Sequence, residues 1–303
     1  MKRDKIYIGS RSSKLALIYA EKVKIEIAKY FKGEISIIKI STSGDKNLHT
    51  RLSEIGGKGL FSSSIEKELL NKKIDIAVHA LKDLPSFETQ GLTTNCFLKR
   101  NSPNEVMISN SQKKLEELVP GSIIGTSSFR REFQLKRKRK DLNFKLIRGN
   151  VDTRIKKLKN GEYDAIILSK AGLNSLNLEN EITQEFSYND IVPSAGQGTV
   201  AVQCRNSDLE MIDFLKKINH TETSIRVKTE REVLKVLDGN CDTAVGAISE
   251  IKNNELSILG ELFSIDGNRR YYYETNCELK DYYQAGLEVG NNLKKQSKGN
   301  YKR

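Results

Sequence analysis

The chain has 303 residues, 37% hydrophobic and 30% charged, and 51 Lys and Arg against 39 Asp and Glu give it a net charge of +12. That is the balance of a globular protein of two or three domains rather than of a disordered chain, and no run of about 18 apolar residues offers a membrane span. The positive charge leaves nucleic acid, an acidic membrane surface or small polyanions as partners, but the lysines are spread out and Trp is absent, so no stacking platform for nucleic acid stands out.

In chain order, MKRDKIYIGSRSS has a basic start but no apolar h-region and no small-residue cleavage site, so a cytoplasmic location is expected. Ile6 and Ile8 alternate with polar neighbours as in a strand. Ser10 to Ser13 offer caps to a helix running through Leu15, Leu17, Ile18, Val23, Ile25 and Ile27. Residues 35–40 predict a second strand. The loop Gly56–Gly57–Lys58–Gly59 then opens a helix to Leu70, and the apolar run Ile74 to Val78 predicts a buried parallel strand. The pattern restarts after Pro103, with strands at Ile123–Ile124, 145–147 and 165–168. Helices are expected from near Phe129 and over 151–159. Two such sets of βα units predict two α/β domains, each around a mostly parallel sheet. The last hundred residues read differently: helices over 209–218 and 224–237, strands at 244–250, 256–262 and 271–273, an Asp266–Gly267 hairpin turn and a closing helix over 282–293. This predicts a smaller α+β domain. The run Lys136 to Lys140 reads as a solvated helix end.

Four loops place a hydroxyl or glycine beside a cation where a helix begins: Arg11–Ser12–Ser13, residues 56–59, Thr126–Ser127–Ser128 with Arg130–Arg131, and Arg148–Gly149 with Arg154. Helix N-termini attract anions, and arginine adds bidentate contacts to carboxylates. Singly, each loop reads more readily as a plain cap or turn than as a ligand site, and residues 56–59 lack P-loop spacing. Together they favour a ligand with several carboxylates or phosphates. Lys82–Asp83 lies just past a strand end, where an ionised carboxylate can stabilise developing positive charge. His79 alone reads as a structural hydrogen-bonding residue. Cys96, Cys204, Cys241 and Cys277 form no C-x-x-C pair, so neither a metal site nor a disulfide framework is expected. Cys241, in the polar loop Gly239–Asn240–Cys241–Asp242, is by spacing alone as compatible with a structural as with a reactive thiol.

The series Ile8–Gly9–Ser10–Arg11–Ser12–Ser13, Gly56–Gly57–Lys58–Gly59–Leu60–Phe61, Asp75–Ile76–Ala77–Val78–His79, Lys82–Asp83, Gly125–Thr126–Ser127–Ser128 with Arg130–Arg131, Arg148–Gly149–Asn150–Val151 with Thr153–Arg154, Ala171–Gly172–Leu173, Gln197–Gly198 and Cys204–Arg205 resembles the porphobilinogen deaminase family in order and spacing. The resemblance implies an α/β fold with two halves like type II periplasmic binding proteins, residues 1–99 with 196–218 and residues 100–195. A C-terminal α+β domain, 219–303, would carry the cofactor cysteine. It implies a dipyrromethane joined by a thioether to Cys241. It also implies condensation of four porphobilinogen molecules, each losing ammonia to give an electrophilic azafulvene, and release of hydroxymethylbilane by water. Asp83 would be catalytic. Arg11, Ser13, Lys82, Thr126, Ser127, Ser128, Arg130, Arg131, Arg148, Gly149, Arg154, Ala171, Gln197 and Gly198 would bind cofactor and substrate, and Lys58 would gate. A monomer without nucleic-acid or membrane partner is expected.

Three positions depart from the family pattern. Ala80 stands where a serine is usual, Asn174–Ser175 where a Lys-Arg pair is common, and Asn240 where the cysteine loop usually has a second glycine. They bear on affinity and rate rather than on reaction type. The alternative is a non-catalytic polyanion binder of periplasmic-binding type, which leaves Cys241 and a third domain unexplained.

Overall fold

The structure, a computed structural model, describes residues 3–42, 59, 62–240 and 242–302. These form two compact units. One comprises residues 3–42, 59, 62–101 and 199–225; the other comprises 102–198, 226–240 and 242–302.

The first unit is built on β1 (Lys5–Arg11), β2 (Glu34–Ile40), β3 (Ile76–Ala80), β4 (Leu92–Phe97) and β10 (Val200–Arg205), in the order β2-β1-β3-β10-β4. β1 pairs in parallel with β2 and β3, whereas β10 runs antiparallel to both β3 and β4. Four strands therefore point one way and β10 the other. α1 (Lys14–Ala28) starts where it does because the Ser13 side chain accepts a hydrogen bond from Ala16 N at 3.4 Å. Alternation along β3 sends Ile76 and Val78 into the core that includes Val23 and Ile27 of α1. Ala77 joins the opposite core, with Ile65 and Leu69 of α2 (Ser63–Leu70).

The second unit repeats this plan. β5 (Glu105–Ser109), β6 (Ile123–Gly125), β7 (Asn143–Lys145), β8 (Ala165–Ser169) and β9 (Gln184–Glu185) lie in the order β7-β6-β8-β5-β9. β6 is parallel to β7 and β8, and β5 is the reversed strand. α3 (Phe129–Lys138), α4 (Val151–Lys159) and α5 (Lys170–Leu176) follow β6, β7 and β8. The chain then supplies α6 (Leu209–Leu215) to the first unit, and α7 (Thr221–Leu237) follows. An antiparallel sheet of β11 (Val245–Lys252), β12 (Glu255–Phe263) and β13 (Arg270–Glu278) belongs to the second unit, with α8 (Tyr282–Ser297) lying on β12 and β13.

The α/β class with mostly parallel sheets and a smaller C-terminal sheet is what the sequence led us to expect. Two strands are displaced from their expected positions. β3 reaches Ala80, so His79 lies within the ladder rather than beyond it. The β7 ladder stops at Lys145, before the expected residues 146–147. Ile147 is still fully buried, and the Leu146 carbonyl accepts from Tyr163 Oη at 2.7 Å, so these residues are packed without strand pairing.

Candidate active site

In the first unit the carboxyl ends of β1 and β3 bring Arg11, Ser13, Val78, His79, Ala80 and Asp83 around one open pocket, which Leu15, Ala16, Tyr19 and Ser62 complete. Asp83 is the last residue of a single 3-10 turn, Leu81–Asp83, set directly on the end of β3. The turn is held by Leu81 N donating to Thr199 O (3.0 Å) and Leu84 N to Leu81 O (3.1 Å). Asp83 Oδ2 stands 3.9 Å from an Arg11 guanidinium nitrogen, with the carboxylate 36% exposed and the arginine 19%. The site thus offers one accessible carboxylate, one cation and apolar walls. Lys82 is half-buried beside Asp83 in the same turn. His79 is buried, and burial pulls its pKa down to about 4, with Gln203 opposing and the Arg11 charge adding to the shift. The imidazole is therefore neutral near pH 7.

The second unit carries the other expected loops. Ser128 caps α3, accepting from Arg131 N at 3.5 Å, while Thr126 Oγ1 accepts from Ser128 N at 3.2 Å and Ser127 is half-buried between them. Arg130 and Arg131 share one carboxylate. Arg130 Nη2 donates to Glu105 Oε1 at 2.6 Å and Arg131 Nη2 to Glu105 Oε2 at 2.7 Å. Their Nη1 atoms are taken by Val192 O and Ile167 O. Two buried cations over one carboxylate leave a surplus positive charge. Arg131 Nε is a buried donor without a partner among the described residues. Arg148 is buried, and Arg154 Nε donates to Gly149 O at 2.8 Å. Gly149 has φ +115°, and a Cβ there would come within 2.8 Å of Thr153, so only glycine suits this turn. Gly198 also has positive φ, +82°.

Gln197 is fully enclosed and its amide donates to Pro103 O at 2.7 Å, and Ala171 is packed inside α5. The side chains of both brace the loops. Lys58 and Cys241 lie outside the described residues. Cys96 and Cys204 are buried, with thiols pushed up to about 12 and about 11 by burial, and Cys277 is also raised by burial. These three are poor nucleophiles. Glu105, Ser62, Gln203 and Thr199 were not anticipated, because no local pattern marks a polar residue whose partner lies far along the chain.

Family models place the chain further. Residues 6–213 match one described as "Porphobilinogen deaminase, dipyromethane cofactor binding domain", and residues 224–295 match "Porphobilinogen deaminase, C-terminal domain". The chain belongs to the porphobilinogen deaminase family. The porphobilinogen deaminase of Alkaliphilus metalliredigens is 39% identical over 95% of this chain and 92% of the relative. That of Staphylococcus epidermidis is 41% identical over 96% and 95%. Among solved structures, the periplasmic VFT2 domain of BvgS from Bordetella pertussis is similar with a TM-score of 0.43 at 12% identity, covering 71% of this chain and 86% of that one. The family's cofactor-binding model thus spans every loop described above.

Proposed function

We propose that the chain is a transferase that condenses four porphobilinogen molecules head to tail, with loss of ammonia at each addition and hydrolytic release of hydroxymethylbilane. The observation that carries this reading is the Asp83 carboxylate, held 3.9 Å from Arg11 in a pocket within the family's cofactor-binding region.

The residues present fit a carboxylated dipyrrole. The pocket offers an acceptor for ring N–H groups in Asp83, apolar walls for ring faces and a cation in Arg11. In the second unit the unpartnered Arg131 Nε and the start of α3 suit a carboxylate. When bound through a thioether to Cys241, this group supplies a tethered primer with a free α-carbon. In the first unit Arg11, Ser13 and Lys82 bind acetate or propionate groups; in the second unit Ser127, Ser128, Arg131, Arg148 and Arg154 bind groups of that kind. Thr126, Arg130, Gly149 and Gly198 shape these loops and their charge. Asp83 stabilises developing positive charge on a pyrrole and carries the proton at its Oδ2 atom. Lys58 gates access. The division into residues 1–99 with 196–218, 100–195 and 219–303, a monomeric state and a cytoplasmic location complete the reading. No helix among the described residues is long and apolar enough to cross a membrane.

The decisive experiment is the intact mass of the purified protein beside a Cys241→Ser variant, each before and after incubation with porphobilinogen. The native chain should carry the added mass of two linked pyrroles, and the variant should carry none. A native mass that stays at the bare-sequence value after incubation would sink the proposal.

A further inference from the structure

Behind the pocket wall lies a seam of buried polar groups that the reaction scheme above does not use. His79 on β3 is paired with Ala201, and Gln203, two residues along β10, projects from the same face as His79. Gln203 is 1% exposed and His79 is 7% exposed. The Gln203 amide nitrogen is committed to Glu66 Oε1 at 3.0 Å, and Glu66 Oε2 accepts from Ser62 Oγ at 3.3 Å. Gln203 Oε1 is thereby turned away from Glu66. The Gln203 side chain opposes the lowering of the His79 pKa, and both Gln203 Oε1 and His79 Nε2 are enclosed without a hydrogen-bond partner among the described residues.

Enclosed polar atoms without partners are uncommon and call for a reason. The amide oxygen can only accept, so the arrangement that satisfies both atoms puts the imidazole proton on Nε2, facing Gln203. In the neutral ring the lone pair then falls on Nδ1. Of the two ring nitrogens only Nε2 is enclosed without a partner among the described residues, and His79 is one of the residues that line the pocket with Arg11 and Asp83.

We propose that His79 is a substrate-positioning residue whose Nδ1 accepts a hydrogen bond from an N–H of the pyrrolic ligand bound beside Asp83, in a tautomer fixed by the Glu66–Gln203 relay. The assignment rests on the deaminase reading for the identity of that ligand. A neutral imidazole of low basicity is suited to the task, because it orients an N–H without removing its proton. Asp83 remains the group that moves protons. The N–H belongs either to the pyrrole ring or to the aminomethyl group.

Asparagine and glutamine separate the two ring nitrogens. In His79→Asn the amide oxygen can take the place of Nδ1, whereas in His79→Gln the side-chain end reaches the Nε2 position and the pocket acceptor is lost. With the holoenzyme, KM for porphobilinogen should stay within about twofold in His79→Asn and rise about tenfold in His79→Gln, the factor one hydrogen bond contributes, with kcat changed less than KM in both. Calorimetric binding of an analogue with methyl in place of aminomethyl identifies the donor. A parallel loss of affinity in His79→Gln assigns the ring N–H, and unchanged affinity assigns the aminomethyl group. Equal KM values in the two variants would overturn the proposal. Nitrogen-15 spectra of the native holoenzyme decide it independently of variant folding: the Nε2–H tautomer is expected, and an Nδ1–H tautomer or an imidazolium at neutral pH would overturn it. The native mass and turnover test the deaminase reading separately.

Discussion

Asp83 and Glu105 show how a carboxylate takes opposite roles according to its surroundings. Asp83 is over a third exposed and has one cation at 3.9 Å, so it keeps room for a ligand. Glu105 is fully enclosed and spends both oxygens on Arg130 and Arg131, an arrangement in which removing the carboxylate would strand two buried cations. Asp83→Asn keeps the shape and removes the charge. Steady-state kinetics should show kcat lowered by about 10²- to 10⁴-fold with KM changed little, the loss expected when a group acts mainly in the transition state. An unchanged kcat would remove Asp83 from the chemistry. Asp83 was readable in the sequence because Lys82–Asp83 follows a strand and is closed off by Pro85. Glu105 was not, since its partners stand 25 and 26 residues away. His79 is buried and its pKa is pulled down to about 4, and the face it shares with Gln203 became visible only in the β3–β10 ladder.

Elements whose pattern is local were legible, and reversed strands were not. α4 falls at residues 151–159 as expected, ended by Asn160–Gly161, and β11 to β13 lie within a few residues of their expected positions. β5 and β10 are almost wholly buried on both faces, so neither alternates, and nothing in EVMIS or VAVQCR states a direction. The basic run at the end of α3 is only partly a solvated end. Lys136 pairs with Glu132 and Lys138 with Asp190, and Arg139 turns inward to donate to the carbonyls of Leu115, Glu116 and Leu118. Packing also reverses a propensity argument on α8. Alanine at Gly286 would favour an isolated helix by about 1 kcal/mol. In the fold its Cβ would lie 2.4 Å from the Thr229 carbonyl oxygen of α7, and at Gly290 2.7 Å from Val236 Cβ. Backbone cannot yield as a side-chain tip can, so Gly286→Ala should lower the melting temperature. A thermal unfolding curve shifted upward would mean that α7 and α8 separate more readily than their close approach suggests.

For the whole molecule, the charge of +12 acts on a substrate bearing two carboxylates. Raising ionic strength from about 0.01 M to 0.15 M shortens the screening length from roughly 30 Å to 8 Å, so KM for porphobilinogen should rise while kcat moves little. A salt-independent KM would assign recognition to buried contacts alone. The two α/β sheets share one plan, with the same strand order and the same position for the single reversed strand. The order of motifs along the sequence was enough to determine the family, the α/β class and the place of Asp83 just past a strand end, because each depends on residues adjacent in the chain. Only the tertiary structure decided that Arg130 and Arg131 are spent on Glu105, where β5 and β10 enter their sheets, and that His79 shares a face with Gln203. Those outcomes depend on hydrogen bonds and burial between segments tens to more than a hundred residues apart, where the sequence carries no local periodicity to reveal them.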